Sequence, residues 1–137
     1  MVAYDPFKTG LKGSHVTSLL PAERLEELAR LVDARGLRTD DDALEQFGRD
    51  WTRAHTPAPG AVVLPATMDE VQAIVRWARE HRVAVVPSGG RSGLSAGAVA
   101  CQGELVLALD RLNTISDFNA TDRTVRCGAG VITAQLQ

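Results

Sequence analysis

Cysteine is scarce in this chain, and its two copies, Cys101 and Cys127, lie far apart with no C-x-x-C spacing. A disulfide framework or a zinc knuckle needs paired or closely spaced thiols, so neither has support. Both thiols are expected to be reduced and to pack as small hydrophobes. Histidine is equally sparse, and His15, His55 and His81 show no H-x-x-x-H or related ligand spacing. They are expected at the surface or in local hydrogen bonds, and no metal site is assigned. No apolar run approaches the roughly 20 residues that cross a bilayer. The N-terminal MVAYDPFKTGLKGSHVTSLL also lacks the apolar stretch of a secretion signal. A cytoplasmic protein with no membrane span is expected. An excess of positive charge is missing too, since the net charge is -2. That argues against nonspecific nucleic-acid binding, which needs a basic field.

What is present suits one soluble domain: 137 residues, of which 45% are hydrophobic and 23% charged. Residues 1–18 carry Pro6, Gly10 and Gly13 without periodicity and read as a loose leader. Residues 19–56 read as a helical lead-in. Within it Leu25, Leu28, Ala29, Leu31 and Val32 recur at helical spacing from Ala22, with Gly36 beyond, which predicts a helix of about thirteen residues. A shorter helix is expected over Asp41 to Phe47, then a proline-rich connector, TRAHTPAPG.

Residues 57–137 are the most regular part. Ala61 to Leu64 reads as a buried strand ended by Pro65, and Thr67 with Glu70 forms a capping box for the next helix. Val71, Ile74, Val75 and Ala78 make the apolar stripe of that helix, and Val83 to Val86 reads as a second strand. Together these predict a right-handed βαβ unit with parallel strands. Further strands are expected over Glu104 to Leu109, Ile115 to Phe118 and Thr124 to Cys127. Gly128-Ala129-Gly130 is expected to open a helix with Thr133 as N-cap. That helix would be cut short at Gln137, which suggests a fragment. The fold class is therefore α+β.

The stretch VVPSGGRSGLSAGA, Val85 to Ala98, leaves the C-terminal end of the second strand, where α/β proteins commonly bind ligands. It contains Gly89, Gly90, Gly93 and Gly97, and no Asp or Glu occurs between Val83 and Gly103. Glycine permits close approach and positive φ, so successive N–H groups can line a concave anion site. Arg91 would add charge, and Ser88 and Ser92 could add hydroxyl donors. A Walker A loop is excluded, because Leu94 stands where its second glycine belongs and the loop has no lysine. The adjacent Gly89 and Gly90 do not form G-x-G-x-x-G, and Ser92 does not sit in G-x-S-x-G. A flexible surface turn with no ligand is the plainer alternative.

Four ordered motifs carry a resemblance: Pro65 to Val71 (P-x-x-x-x-E-V), VVPSGGRSGLSAGA, LVLALDRLNTI from Leu105, and VRCGAGV from Val125. The sequence resembles the FAD-binding domain (PCMH type) of the vanillyl-alcohol oxidase / p-cresol methylhydroxylase flavoproteins. Within them it is most similar to the D-2-hydroxyacid dehydrogenases, the D-lactate, glycolate and D-2-hydroxyglutarate enzymes. The upstream FGRDWTRAHTPAPGAVVLP is similar to their lead-in.

The resemblance implies that Pro87, Ser88, Gly89, Gly90, Arg91, Ser92, Gly93, Leu94, Gly97 and Ala98 form the FAD site, largely through backbone amides around the pyrophosphate. It also implies a second close-approach turn at Gly128 to Gly130. Some relatives attach FAD through a histidine after the two glycines. Arg91 holds that place here, so FAD is expected to be non-covalent. The implied reaction oxidises a D-2-hydroxy acid to a 2-oxo acid by hydride transfer to flavin. The implied catalytic base, carboxylate clamp and any metal ligands lie downstream of Gln137, so no catalytic residue is named and the chain alone is expected to be inactive. Other readings are another branch of these flavoproteins (a sugar or aldonolactone oxidase, or an ether-lipid synthase), a stand-alone nucleotide-binding module, and a defective product.

Overall fold

The structure, a computed structural model, describes residues 20–52 and 54–137. The expected leader lies outside the described residues. Along the chain run α1 (Ala22–Ala29), β1 (Leu37–Arg38), α2 (Asp41–Phe47), β2 (Ala61–Val63), α3 (Met68–His81), β3 (Val85–Ser88), β4 (Leu105–Ala108), β5 (Ile115–Asn119) and β6 (Thr124–Cys127). A 3-10 turn over Thr133–Gln135 follows. The fold is α+β.

Four strands form one sheet in the order β1-β2-β4-β3. β2 and β3 each pair with β4 in parallel, and β1 pairs with β2 antiparallel. The β2-α3-β3 unit is therefore parallel, but its two strands are not neighbours, because β4 inserts between them. Every residue of β4 (LVLA) is apolar and buried, and a strand of that kind needs a neighbour on each edge and cover on each face. β3 takes the sheet edge, where Pro87 can sit without an N–H to give to a ladder.

Side chains alternate across the sheet and sort the core into two clusters. Ala61, Val63, Leu105 and Leu107 face α1 and α3, where they meet Leu28, Ile74, Trp77 and Ala78. Val62, Val106 and Ala108 face the other way and meet Ala43, Leu44 and Phe47 of α2 together with Ala100. The sheet is thus sandwiched between α1/α3 and α2. A polar bracket reinforces the first layer: Glu27 of α1 accepts from the Trp77 indole at 2.7 Å and pairs with His81 at 3.0 Å. The β5–β6 hairpin stands apart from both clusters and is exposed throughout.

Several boundaries differ from the sequence expectation for local reasons. α1 stops at Ala29, because Asp33 accepts from the Arg35 amide at 2.9 Å and its carbonyl from Gly36 at 2.8 Å, drawing the chain into a turn. That turn leads into β1, a two-residue strand too short to show a period. The capping box is half made: Thr67 accepts from the Glu70 amide, but the Glu70 carboxylate accepts from the Ala66 amide rather than that of Thr67. β3 begins two residues late, because Arg82 is left-handed (φ 54°) and caps α3 while Val83 donates to the Ala78 carbonyl. Thr133 is inside the closing turn, and the N-cap is Ile132.

Two exposed aspartates connect this framework to pH. Asp33 is held at about 2, below its ordinary 3.8, chiefly by hydrogen bonding from Arg111 and then from the Arg35 amide. Asp40 is likewise at about 2, chiefly through the Arg38 side chain, with the Ala43 amide at the α2 N-cap contributing. Both folded values are depressed, so their stabilisation is complete above the unfolded value and is lost as pH falls through about 2. The thermal midpoint should drop between pH 3.8 and pH 2. In the Asp33→Asn/Asp40→Asn double variant that part of the profile should flatten, since asparagine still caps α2 but does not titrate.

Candidate cofactor-binding site

Parallel strands share an exit end, so the chain leaving β3 and the chain leaving β4 emerge side by side. The loop from Gly89 to Val99 follows β3, and the turn beginning at Leu109 follows β4. The two are joined at their base, where the Leu109 amide donates to the Ser88 carbonyl at 2.9 Å. The segment after α2 forms the third wall, with Trp51 donating to the Gly93 carbonyl at 3.2 Å and Ala100 to the Gly48 carbonyl at 2.9 Å.

Within the loop the amides of Gly89 to Ser95 donate no hydrogen bond to any described residue. Such a run of free donors suits an anionic acceptor. The expected positive φ does not fall on these glycines: the left-handed residues of the loop are Arg91 (φ 54°) and Ala96 (φ 59°). What the glycines supply instead is room. A Cβ at Gly89, Gly93 or Gly97 would meet nothing within 4 Å, and one at Gly90 would meet only the Ser92 hydroxyl, at 4.0 Å. The chain's own packing therefore does not require glycine there, whereas the close approach of an outside group would.

The remaining expected site residues are distributed as follows. Pro87 is exposed within β3, and Ser88 ends that strand fully buried, with its hydroxyl 3.4 Å from Arg91. Ser92, Leu94 and Gly97 are exposed, and Ala98 is half-buried in the turn. Arg91 does not reach into solvent. Its guanidinium forms a two-pronged bond with Asp110, at 3.0 and 2.7 Å, and lies 4.7 Å from the centre of the Phe47 ring.

The acid-free surroundings read from the local sequence are therefore corrected by the fold, which brings two carboxylates to the loop. Asp110 engages Arg91. Asp50, 4% exposed, accepts from the Thr52 hydroxyl and amide and, at 2.8 Å, from the Ala96 amide. Bonding from Thr52 and then from the Ala96 amide holds its carboxyl below the ordinary range against the opposing effect of burial. Each negative charge is matched to donors of the protein. Phe47, Asp50 and Asp110 all lie in quoted motifs, but nothing in their spacing assigned them to the loop.

Two other expectations change. Gly128 and Gly130 do make close approaches, but to the chain itself: a Cβ on either would overlap the carbonyl of Leu112 or Leu109, respectively. Cys101 and Cys127 are free but exposed rather than packed.

A family model described as "FAD binding domain" matches residues 59–137. This chain belongs to the FAD-binding domain family. The D-2-hydroxyglutarate dehydrogenase of Stutzerimonas stutzeri (strain A1501) is 54% identical over 113 residues, which are 82% of this chain and 24% of that protein. The D-2-hydroxyglutarate dehydrogenase of Xanthomonas citri pv. viticola is 57% identical over 108 residues, 79% of this chain and 23% of the relative. The chain spans about a quarter of the length of these relatives. Two solved structures share the fold. An alkyldihydroxyacetonephosphate synthase has a TM-score of 0.75 at 20% identity, over 88% of this chain and 25% of its own. A substrate-bound p-cresol methylhydroxylase has a TM-score of 0.71 at 22% identity, over 83% and 23%. The FAD-binding domain described here thus shares its fold with both, and the open glycines of its loop, beside amides with no acceptor among the described residues, leave room for an outside group.

The two sets of glycines should behave oppositely in the chain without cofactor. Gly93→Ala should change unfolding free energy by no more than about 0.5 kcal/mol, because the new methyl meets open space. Gly128→Ala should destabilise by about 1–3 kcal/mol, because backbone has to move. Urea denaturation of the two variants distinguishes these outcomes.

Proposed function

We propose that Pro87 to Leu94, with Gly97 and Ala98, hold the diphosphate of a non-covalently bound FAD in a flavoenzyme that oxidises a D-2-hydroxy acid to a 2-oxo acid. The observation that carries the binding reading is the run of amides from Gly89 to Ser95 that have no acceptor among the described residues, placed beside glycines whose Cβ positions are open. A hydrogen bond to a charged group contributes about 1.5–3 kcal/mol, so three or four aimed amides suffice for tight binding of a preorganised site.

When bound, FAD supplies the hydride acceptor. The chain's own residues bind and orient it: the loop offers N–H donors, β3 and β4 fix the loop's base, and the 48–52 segment supports its outer side. With Arg91 in the place after Gly90 and engaged with Asp110, the loop presents no histidine there for a covalent bond. The hydroxy-acid substrate is favoured over a sugar or ether-lipid substrate by identities of 54% and 57% to proteins named D-2-hydroxyglutarate dehydrogenase, against 20% to the synthase.

Titration with FAD, followed by flavin fluorescence, should show saturable binding to the chain. Gly90→Val should abolish it, because a branched Cβ fills the space a phosphate oxygen needs. Acid precipitation of the loaded protein should leave the yellow flavin in the supernatant, and flavin pelleting with the protein would contradict non-covalent binding. Bleaching of the flavin by D-2-hydroxyglutarate in the full-length enzyme tests the substrate class.

A further inference from the structure

We propose that Asp110 and Asp50 are positioning residues for the cofactor loop, each fixing one of its two left-handed non-glycine residues. The inference deepens the FAD reading and rests on it. Non-glycine residues seldom adopt positive φ, and they keep it only where surrounding contacts over-determine it. Both such residues of this loop have a carboxylate fastening. Arg91 (φ 54°) is held through its side chain by the two-pronged bond to Asp110 and by the Phe47 ring beneath it. Ala96 (φ 59°) is held through its own amide by Asp50. The amides of Ser92 to Ser95 lie between these fastenings and have no acceptor among the described residues.

The arrangement also assigns a role to the arginine. A guanidinium whose terminal nitrogens are already engaged by a carboxylate is not an open phosphate ligand. Arg91 acts as a strut from the loop to the end of β4, and the anion is met by backbone. Asp110 contributes because β4 lies next to β3 in the sheet: Asp110 is two residues past the end of β4, and Arg91 is three past the end of β3.

The sign of one substitution separates this from the alternative that Asp110 merely withholds Arg91 from the diphosphate. Asp110→Asn removes the charge while keeping an acceptor of similar shape. If Asp110 positions the loop, FAD affinity of the 137-residue chain should fall about tenfold, an effect of about 1.4 kcal/mol. If it withholds the arginine, affinity should rise. Arg91→Ala/Asp110→Asn, which leaves neither charge unpaired, should bind no more weakly than either single variant, as expected for two residues acting as one unit. Asp50→Asn should weaken FAD independently. Hydrogen exchange of the Gly89 to Ser95 segment should quicken in each single variant while that of β2 and β4 stays unchanged, a pattern general destabilisation would not give. Unchanged or tighter FAD binding by Asp110→Asn, with the wild-type chain binding FAD, would overturn the positioning role alone. Absence of FAD binding by the wild-type chain would overturn the cofactor-loop reading and this inference with it.

Discussion

Parallel pairing of β3 with β4 is the constraint on which the site depends. Two parallel strands in register release their chains at the same end, so a glycine-rich loop from one and an aspartate-bearing turn from the other become neighbours without any sequence proximity. An antiparallel pair would have placed them at opposite ends of the sheet. The pairing is enforced by burial: Leu105 to Ala108 are apolar on both faces and are covered by α1 and α3 on one side and α2 on the other.

Anion-binding loops face a physical conflict. Donors have to remain free of internal partners, yet a loop with free donors and several glycines has high conformational entropy and no reason to keep one shape. In the loop proposed to hold the diphosphate the conflict is resolved at the ends. The parallel ladder anchors its start at Ser88, Arg91 is tied to the β4 exit, Trp51 and Asp50 hold Gly93 and Ala96, and Ala100 is buried in the second core cluster. The middle keeps its amides available. Negative charge near an anion site would ordinarily weaken it, but both carboxylates already bond to donors of the protein.

Much of the fold was legible because its signals are local. α2, the α3 helix, the central strand and the β5–β6 hairpin follow from apolar periodicity and turn residues, and the βαβ reading correctly predicted parallel strands; the α3 stripe was legible only in part, since Val75 is exposed and Trp77 enters the core instead. The early end of α1, β1 and the late start of β3 were not legible, since each depends on a specific contact: the Asp33 turn, pairing with β2, and the left-handed cap at Arg82. Among the glycines, composition alone could not separate those that leave room for a ligand from those that make room for the chain. Gly93 and Gly128 look alike in sequence, yet only Gly128 meets a backbone carbonyl.

The sequence by itself determined the identity of the loop, its lack of a lysine or Walker spacing, and the ordered motifs that place the chain among FAD-binding domains. These are properties of residues in a row. Only the tertiary structure decided that β4 would lie between β2 and β3, that Asp50 and Asp110 would meet the loop, and that Arg91 would brace it. The reason is that charge neutralisation and close approach depend on distance in space, and the Ala96–Asp50 and Arg91–Asp110 contacts join residues 46 and 19 positions apart.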